Sequence, residues 1–204
     1  MSVLPRSLLG SALPGVGRRL SEGEAELLRK YQDLLIKWQK TTRLVGSVEP
    51  SWVAENVFVH SFCFLVGLPE GTRRVADLGS GAGIPGVPIA IVRPDLETTL
   101  IEARQRRVSF LSTVVRELGL GSVTVVGDRI ESLPSSYDAR FDAVVMRCAG
   151  SRSEMLESAL RLVRQGGVVV MSAPADGPTP RGAETLEVGA PSGLLWTFHR
   201  FQKE

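Results

Sequence analysis

Val75-Ala76-Asp77-Leu78-Gly79-Ser80-Gly81-Ala82-Gly83-Ile84-Pro85-Gly86 decides how the rest of the chain is read. An apolar run ends in an acid, a glycine-rich turn follows, and a proline opens a helical pattern. Physically these are a strand, a loop without side-chain bulk and a helix N-terminus. Glycines let the backbone approach a ligand closely and take positive φ. Pro85 suits a first helical turn, where its missing N–H is no loss. A nucleotide-like ligand is expected over this turn.

Two cofactors compete for it. Gly81 to Gly86 fits the dinucleotide pattern G-x-G-x-x-G, with an acid, Glu102, about twenty residues on. In a dinucleotide fold the helix N-terminus faces a pyrophosphate. Here Asp77 and Gly79 come earlier, giving D-x-G-x-G-x-G. A carboxylate at the strand end repels a pyrophosphate but attracts the ammonium of S-adenosylmethionine, which carries adenosine and no phosphate. The pattern therefore favours S-adenosylmethionine, with Asp77, Gly79, Gly81 and Gly83 facing it. A turn whose glycines serve packing alone is the plainer alternative.

Outward from this turn, apolar strands alternate with helical patterns. Strands are expected at 74–78, 98–101, 123–126, 141–146 and 168–172, and helices at 85–92, 104–118 and 153–164, with a short helix after Asp128. Repeated β–α–β units imply an α/β fold, a doubly wound and mostly parallel sheet covered on both faces. The Pro-, Gly- and Ala-rich stretch 174–193 reads as a loop, and 194–201 as a closing strand, antiparallel at the sheet edge. Upstream, Ser21 and Glu24 form a capping-box pattern before Leu27, Leu28, Tyr31, Leu34, Leu35 and Trp38 at helical spacing. A second helix runs from Pro50 to about Val66. The expected organisation is an N-terminal arm and small helical cap over 1–70, then a core over 71–204.

Ligands in such sheets lie at the carboxyl ends of the strands, where spacing puts Asp77, Glu102, Asp128 and Arg147. Glu102 suits the two hydroxyls of a ribose; its alternative is a solvated acid paired with Arg104 or Arg106. In 127–131, backbone groups can read an adenine edge while Ile130 packs on its face, and Asp128 serves equally as a helix cap. Arg147 follows an apolar strand and needs a partner there: a cofactor carboxylate, a substrate phosphate, or Asp77 or Glu102. Arginine strongly outnumbers lysine, and its planar fork suits phosphate and base recognition. Arg104, Arg106 and Arg107 cluster near the cleft rim and are the candidates for RNA contact. Tyr31, Trp38 and Trp52 either stack on bases or, as helical spacing favours, fill the core. His60 is a lone histidine on an apolar helix, a pattern that more often packs than catalyses.

The 204 residues carry a net charge of +2 and 43% hydrophobic residues, which fits a single soluble domain and not a strongly basic nucleic-acid binder. The two cysteines, Cys63 and Cys148, are far apart and in no ligand spacing, so no metal is expected. No run reaches the roughly eighteen apolar residues of a membrane span. Pro5 and Pro14 interrupt a faint signal-like start, so the expected setting is the cytoplasm.

The chain resembles the bacterial 16S ribosomal RNA guanine-N7 methyltransferases, the small-subunit methyltransferase G type, also named glucose-inhibited division protein B. Asp77-Leu-Gly-Ser-Gly-Ala-Gly-Ile-Pro-Gly-Val-Pro-Ile and the trailing Val92-Arg93-Pro94 are similar to the family's signature. So are Tyr31…Leu34-Leu35…Trp38, His60, Glu102…Arg107-Val-Ser-Phe-Leu111 and Arg129-Ile-Glu131. The resemblance implies a Rossmann-like methyltransferase fold and cofactor contacts from Gly79, Ile84, Ile130, Glu131 and Arg147. It also implies methyl transfer to N7 of one guanine of 16S ribosomal RNA in the small subunit; a monomer is expected. His60 joins Arg104, Arg106 and Arg107 as a substrate-side candidate. The chain departs from the family pattern at Cys63, where an acid is usual after His60, and at Ala173-Pro174, where a Lys-Gly pair is common.

Overall fold

The computed structural model describes residues 8, 10–147, 152–174 and 177–204, so Cys148 and most of the chain before Gly10 lie outside the described residues. Seven strands, β1 Arg74–Leu78, β2 Glu97–Ile101, β3 Val123–Val126, β4 Phe141–Met146, β5 Val163–Ala173, β6 Ala183–Gly189 and β7 Leu195–Gln202, form one sheet. Its order is β3-β2-β1-β4-β5-β7-β6. Strands β1 to β5 pair in parallel, and β7 runs antiparallel to both of its neighbours.

The helices are α1 Glu22–Gln39, α3 Gly86–Val92, α4 Gln105–Leu118, α5 Arg152–Leu162 and, between the first two, a continuous helical segment over 50–67, here α2. The Ser21–Glu24 capping box starts α1 as its sequence requires. Segment α2 is not uniform. An α turn, Pro50–Val53, gives way to a π stretch, Ala54–Val59, then to α and 3-10 turns.

Strand alternation divides the interior. Val75, Leu100, Ala143, Val145, Val168 and Val170 share one apolar core with Leu28, Phe58, Val87 and Phe110 from α1 to α4. Ala76, Leu78, Ile101, Val144, Met146, Val169 and Met171 face the other way, onto Ala159 and Leu162 at the α5 end. Asp142 joins the near ends of β1 and β4: its Oδ2 accepts from the N–H groups of Arg73 and Arg74, and its Oδ1 from Arg164 Nε at 2.7 Å.

Three sequence expectations change here. The closing strand, expected at the sheet edge, is β7, antiparallel as read but inside the sheet between β5 and β6. Residues 183–189, read as loop, are the edge strand β6. It is paired on one side only and mostly exposed, with Val188 its buried residue. It therefore lacks the apolar run that marks an inner strand. The last helix stops at Leu162, two residues early, and the chain enters β5 directly, with Gly166 at φ +76.

Asp77 is also corrected. The same alternation that sends Val75 inward sends Asp77 onto the face covered by α3. The carboxyl is fully buried, and its Oδ2 accepts the Gly86 N–H at 2.9 Å. It caps α3 from below and does not line the ligand cleft. Burial pushes it from 3.8 up to about 7, against the Gly86 and Ser80 hydrogen bonds and helped by the charge of Glu102.

The sign of the pH dependence follows. Between about pH 4 and about pH 7 the unfolded chain releases this proton while the folded chain keeps it, so folding weakens as pH rises through that window and levels off above it. Urea unfolding of the ligand-free protein should show this loss, of the order of a few kcal/mol. Asp77→Asn, which keeps an acceptor for Gly86, should abolish it; an unchanged slope in the variant would remove the assignment.

Candidate active site

At the carboxyl ends of β1, β2 and β4 a cleft of about 430 Å³ opens. Its floor is the turn after β1. The N–H groups of Gly79 and Ser80 both donate to the Ile101 carbonyl, at 2.9 and 3.0 Å, pinning the turn to β2. Gly79 and Gly81, at φ +70 and +59, present backbone to the cleft without side-chain bulk. Gly83 differs. A Cβ there would stand 2.5 Å from Val87 Cγ2, so this glycine serves helix packing, and it does not line the cleft. Pro85 precedes the helix as its cap residue, and the Ile84–Pro85 peptide is cis.

Glu102 stands beside the turn at the end of β2, only 6% exposed. One carboxylate oxygen accepts the Gly81 N–H at 2.9 Å and the other the Arg104 N–H at 2.8 Å. Arg107 Nη1 lies 3.7 Å away. Backbone donors thus hold the carboxylate in one orientation while each oxygen keeps a second lone pair. Neither alternative drawn from sequence, a solvated acid or a side-chain pair with Arg104 or Arg106, describes it.

The opposite wall comes from the cap. Gln39, at the last turn of α1, clamps the loop that follows: its Oε1 accepts from Leu44 and Val45 N–H at 2.8 and 3.1 Å, and its Nε2 donates to the Val45 carbonyl at 2.8 Å. Leu44, Val45 and Gly46 so held line the cleft together with Trp52 and Met155. Tyr31, fully buried, fastens α1 to the glycine turn through a 2.6 Å hydrogen bond to the Ala82 carbonyl. Trp38 packs edge-on against Phe110. Of the three aromatics considered for stacking, Trp52 alone reaches the cleft.

Arg147 lines it too, at the end of β4. Its Nη1 donates at 2.7 Å to the carbonyl of Asn56, in the π stretch of α2. Burial holds this guanidinium below its ordinary range, offset in part by Tyr31. Neither Asp77 nor Glu102 is its ion-pair partner.

The structure brings Gly79, Gly81, Ile84, Glu102, Arg104, Arg107 and Arg147 together around one space. Asp128, Ile130 and Glu131 stay outside its wall. They follow β3; Asp128 is exposed, accepts the Arg129 N–H, and does not cap the 3-10 turn Ile130–Ser132, while Ile130 packs on the second core. His60 is corrected as a substrate contact. It is buried among Phe64, Trp196 and Phe198, and burial, with the charge of Arg147, lowers it to about 3. It is a neutral packing residue. Arg106 lies on the outer rim with Thr41, Thr42, Arg43 and Arg104. The sequence reading did not single out Gln39, Arg43 or the 44–46 loop. The available signal was a polar, helix-free stretch directly after an amphipathic helix ending in Gln39.

Among the described residues no cluster of three or more His, Cys, Asp or Glu can hold a metal ion, and no helix is long and apolar enough to cross a membrane. The site suits an adenosyl ligand: a bulk-free backbone turn beside a fixed, buried carboxylate, facing a partly desolvated cation.

A family model described as rRNA small subunit methyltransferase G matches residues 24–173. The ribosomal RNA small subunit methyltransferase G of Chromobacterium violaceum is 35% identical over 162 residues, covering 79% of this chain and 76% of that protein. That of Desulforamulus reducens is 30% identical over 186 residues, covering 90% and 78%. Among solved structures, the O-methyltransferase TomG from Streptomyces achromogenes, in complex with SAM, superposes with a TM-score of 0.60 at 17% identity, covering 91% of this chain and 92% of that one. A SAM dependent methyltransferase from Aquifex aeolicus gives 0.55 at 18% identity, covering 75% and 94%. At these identities the structural likeness is one of fold, and the family rests on the sequence matches. The chain belongs to the rRNA small subunit methyltransferase G family, whose cofactor is S-adenosylmethionine.

Proposed function

We propose that the protein transfers a methyl group from S-adenosylmethionine to N7 of a guanine in 16S ribosomal RNA of the small subunit, acting in the cytoplasm as a monomer and without a metal. The observation that carries this reading is the Glu102 carboxylate, tied by backbone N–H groups to the glycine turn and facing a cleft whose other charged groups are Arg104, Arg107 and Arg147.

When bound, S-adenosylmethionine supplies an electrophilic methyl group on a positively charged sulfur. The chain's own task is positioning. Gly79 and Gly81 admit the adenosyl group against bare backbone. Glu102 accepts from ribose hydroxyls with the lone pairs that Gly81 and Arg104 leave free. Arg147, steadied by Asn56, orients the carboxylate end of the cofactor or the target base. The backbone after β3, with Asp128, Ile130 and Glu131, reads the adenine edge from the next strand end. Trp52 and the 44–46 loop close the cleft against water. Guanine N7 offers a lone pair and has no proton to lose, so no side chain has to act as general base.

A second reading, methyl transfer to another RNA, a protein or a small molecule, or RNA binding without turnover, draws on Cys63 and Ala173-Pro174, where the chain departs from its family. Incubation with labelled cofactor and unmodified 30S subunits, then cleavage at N7-methylguanosine, decides between them. One modified guanine in 16S RNA is expected; unlabelled 30S beside another labelled substrate would sink the first reading.

Calorimetry separates the two walls of the cleft. Glu102→Ala should weaken cofactor binding by about 1.5–3 kcal/mol, roughly 10- to 150-fold, as expected for hydrogen bonds to a charged group. Gln39→Ala, which frees the loop without touching the ligand, should cost about 1 kcal/mol. Equal losses for the two would contradict the assigned roles.

A further inference from the structure

Beside the cofactor cleft lies a second concavity of about 410 Å³, lined by Thr41, Thr42, Arg43, Arg104, Gln105, Arg106 and Arg107. Two elements distant in sequence build it: the loop that Gln39 clamps after α1, and the first turn of α4. The four arginines are not equivalent. Arg107 is paired with Glu102 across 3.7 Å and so belongs to the cofactor side. Arg43, Arg104 and Arg106 are exposed, and no carboxylate among the described residues lies within ion-pair distance of any of them. The chain's other ion pairs show what an arginine here does when an acid is within reach: Arg18, Arg93 and Arg164 each hold a carboxylate at 2.7 Å.

We propose that Arg43, Arg104 and Arg106 form a seat for one backbone phosphodiester of the RNA strand whose target base enters the neighbouring cleft. Three like charges gathered around one concavity repel each other unless an anion sits among them. Planar guanidinium forks match the two free oxygens of a phosphodiester. The Thr41 and Thr42 side chains add hydroxyls to the same lining. Arg104 and Arg107 line both cavities, so a strand seated by its phosphate stands next to the methyl-transfer cleft. Seating the phosphate fixes register while the cleft reads the base.

This inference rests on the RNA-methyltransferase reading, and the test keeps the two apart. Arg43→Gln and Arg106→Gln, neither residue lining the cofactor cleft, are compared with the parent and with Arg107→Gln. Cofactor affinity is read by calorimetry, KM and kcat on unmodified 30S, and the salt dependence of binding to 16S RNA. For the Arg43 and Arg106 variants the expected result is unchanged cofactor affinity and kcat, KM raised about 5- to 10-fold each, and a salt slope shallower by about one per residue. Arg107→Gln should instead weaken cofactor binding. Unchanged KM and slope in both variants would overturn the proposal. A shallower slope with unchanged KM would overturn it equally, marking general polyanion attraction rather than a seat. If the parent methylates some RNA other than 30S, the function reading fails, and the variants are scored on that RNA. If the parent binds no RNA, both fail. Because these side chains are exposed, the variants should keep the parent's thermal unfolding profile.

Discussion

The fixed orientation of the Glu102 carboxylate is the constraint on which the site depends. Its two oxygens are taken by N–H groups from opposite sides, Gly81 in the turn after β1 and Arg104 at the start of α4. One side chain thereby sets the distance between the bulk-free floor of the cleft and its arginine-bearing rim. The Ile101 carbonyl, one residue earlier, receives the two N–H groups that begin the same turn. Ile101, the last residue of β2, and Glu102 just after it thus hold the whole bend, and α1 reinforces it through Tyr31 on Ala82. Removing a buried charged acceptor leaves its donors unsatisfied, which is why a cost well above that of an exposed contact is expected at this position.

Electrostatics then separates two tasks that share a rim. In the cleft Arg107 leans on Glu102, and Arg147 has a backbone carbonyl, that of Asn56, in place of an acid. The π stretch Ala54–Val59 is the part of α2 that presents this carbonyl, and departures of this kind from α-helical geometry often accompany function. Farther out, Arg43, Arg104 and Arg106 have no acid partner among the described residues. The proposed phosphate seat at the mouth of the cleft rests on these cations without acid partners. A net charge of only +2 is compatible with this, because the local arrangement sets the field and the total does not.

Much of this was legible in the residues. Alternating apolar runs and glycine stops gave β1 to β5 and their helices, and the spacing from the glycine turn put Glu102 beside it at the strand end. Three things were hidden, each for a physical reason. Asp77 looked like a ligand contact because an acid at a strand end resembles one in any linear pattern. Only the two-residue alternation with Val75 shows that it faces α3. β6 was invisible because an edge strand needs one partner and little apolar surface. The cleft's second wall was hidden because the loop is shaped by a single side chain, Gln39, bonding to backbone groups. Such bonds carry no residue-type signature at the positions they hold.

The substitution at Cys63 fits the same physics. Its thiol is buried, and burial together with the charge of Glu55 pushes it up to about 12, so it is a neutral group at any working pH. An aspartate there would have to be desolvated close to that second acid. His60, one turn away, is likewise neutral, with its Nδ1 unpartnered against aromatic rings. Both positions carry uncharged groups, which is the cheaper arrangement once neither faces water.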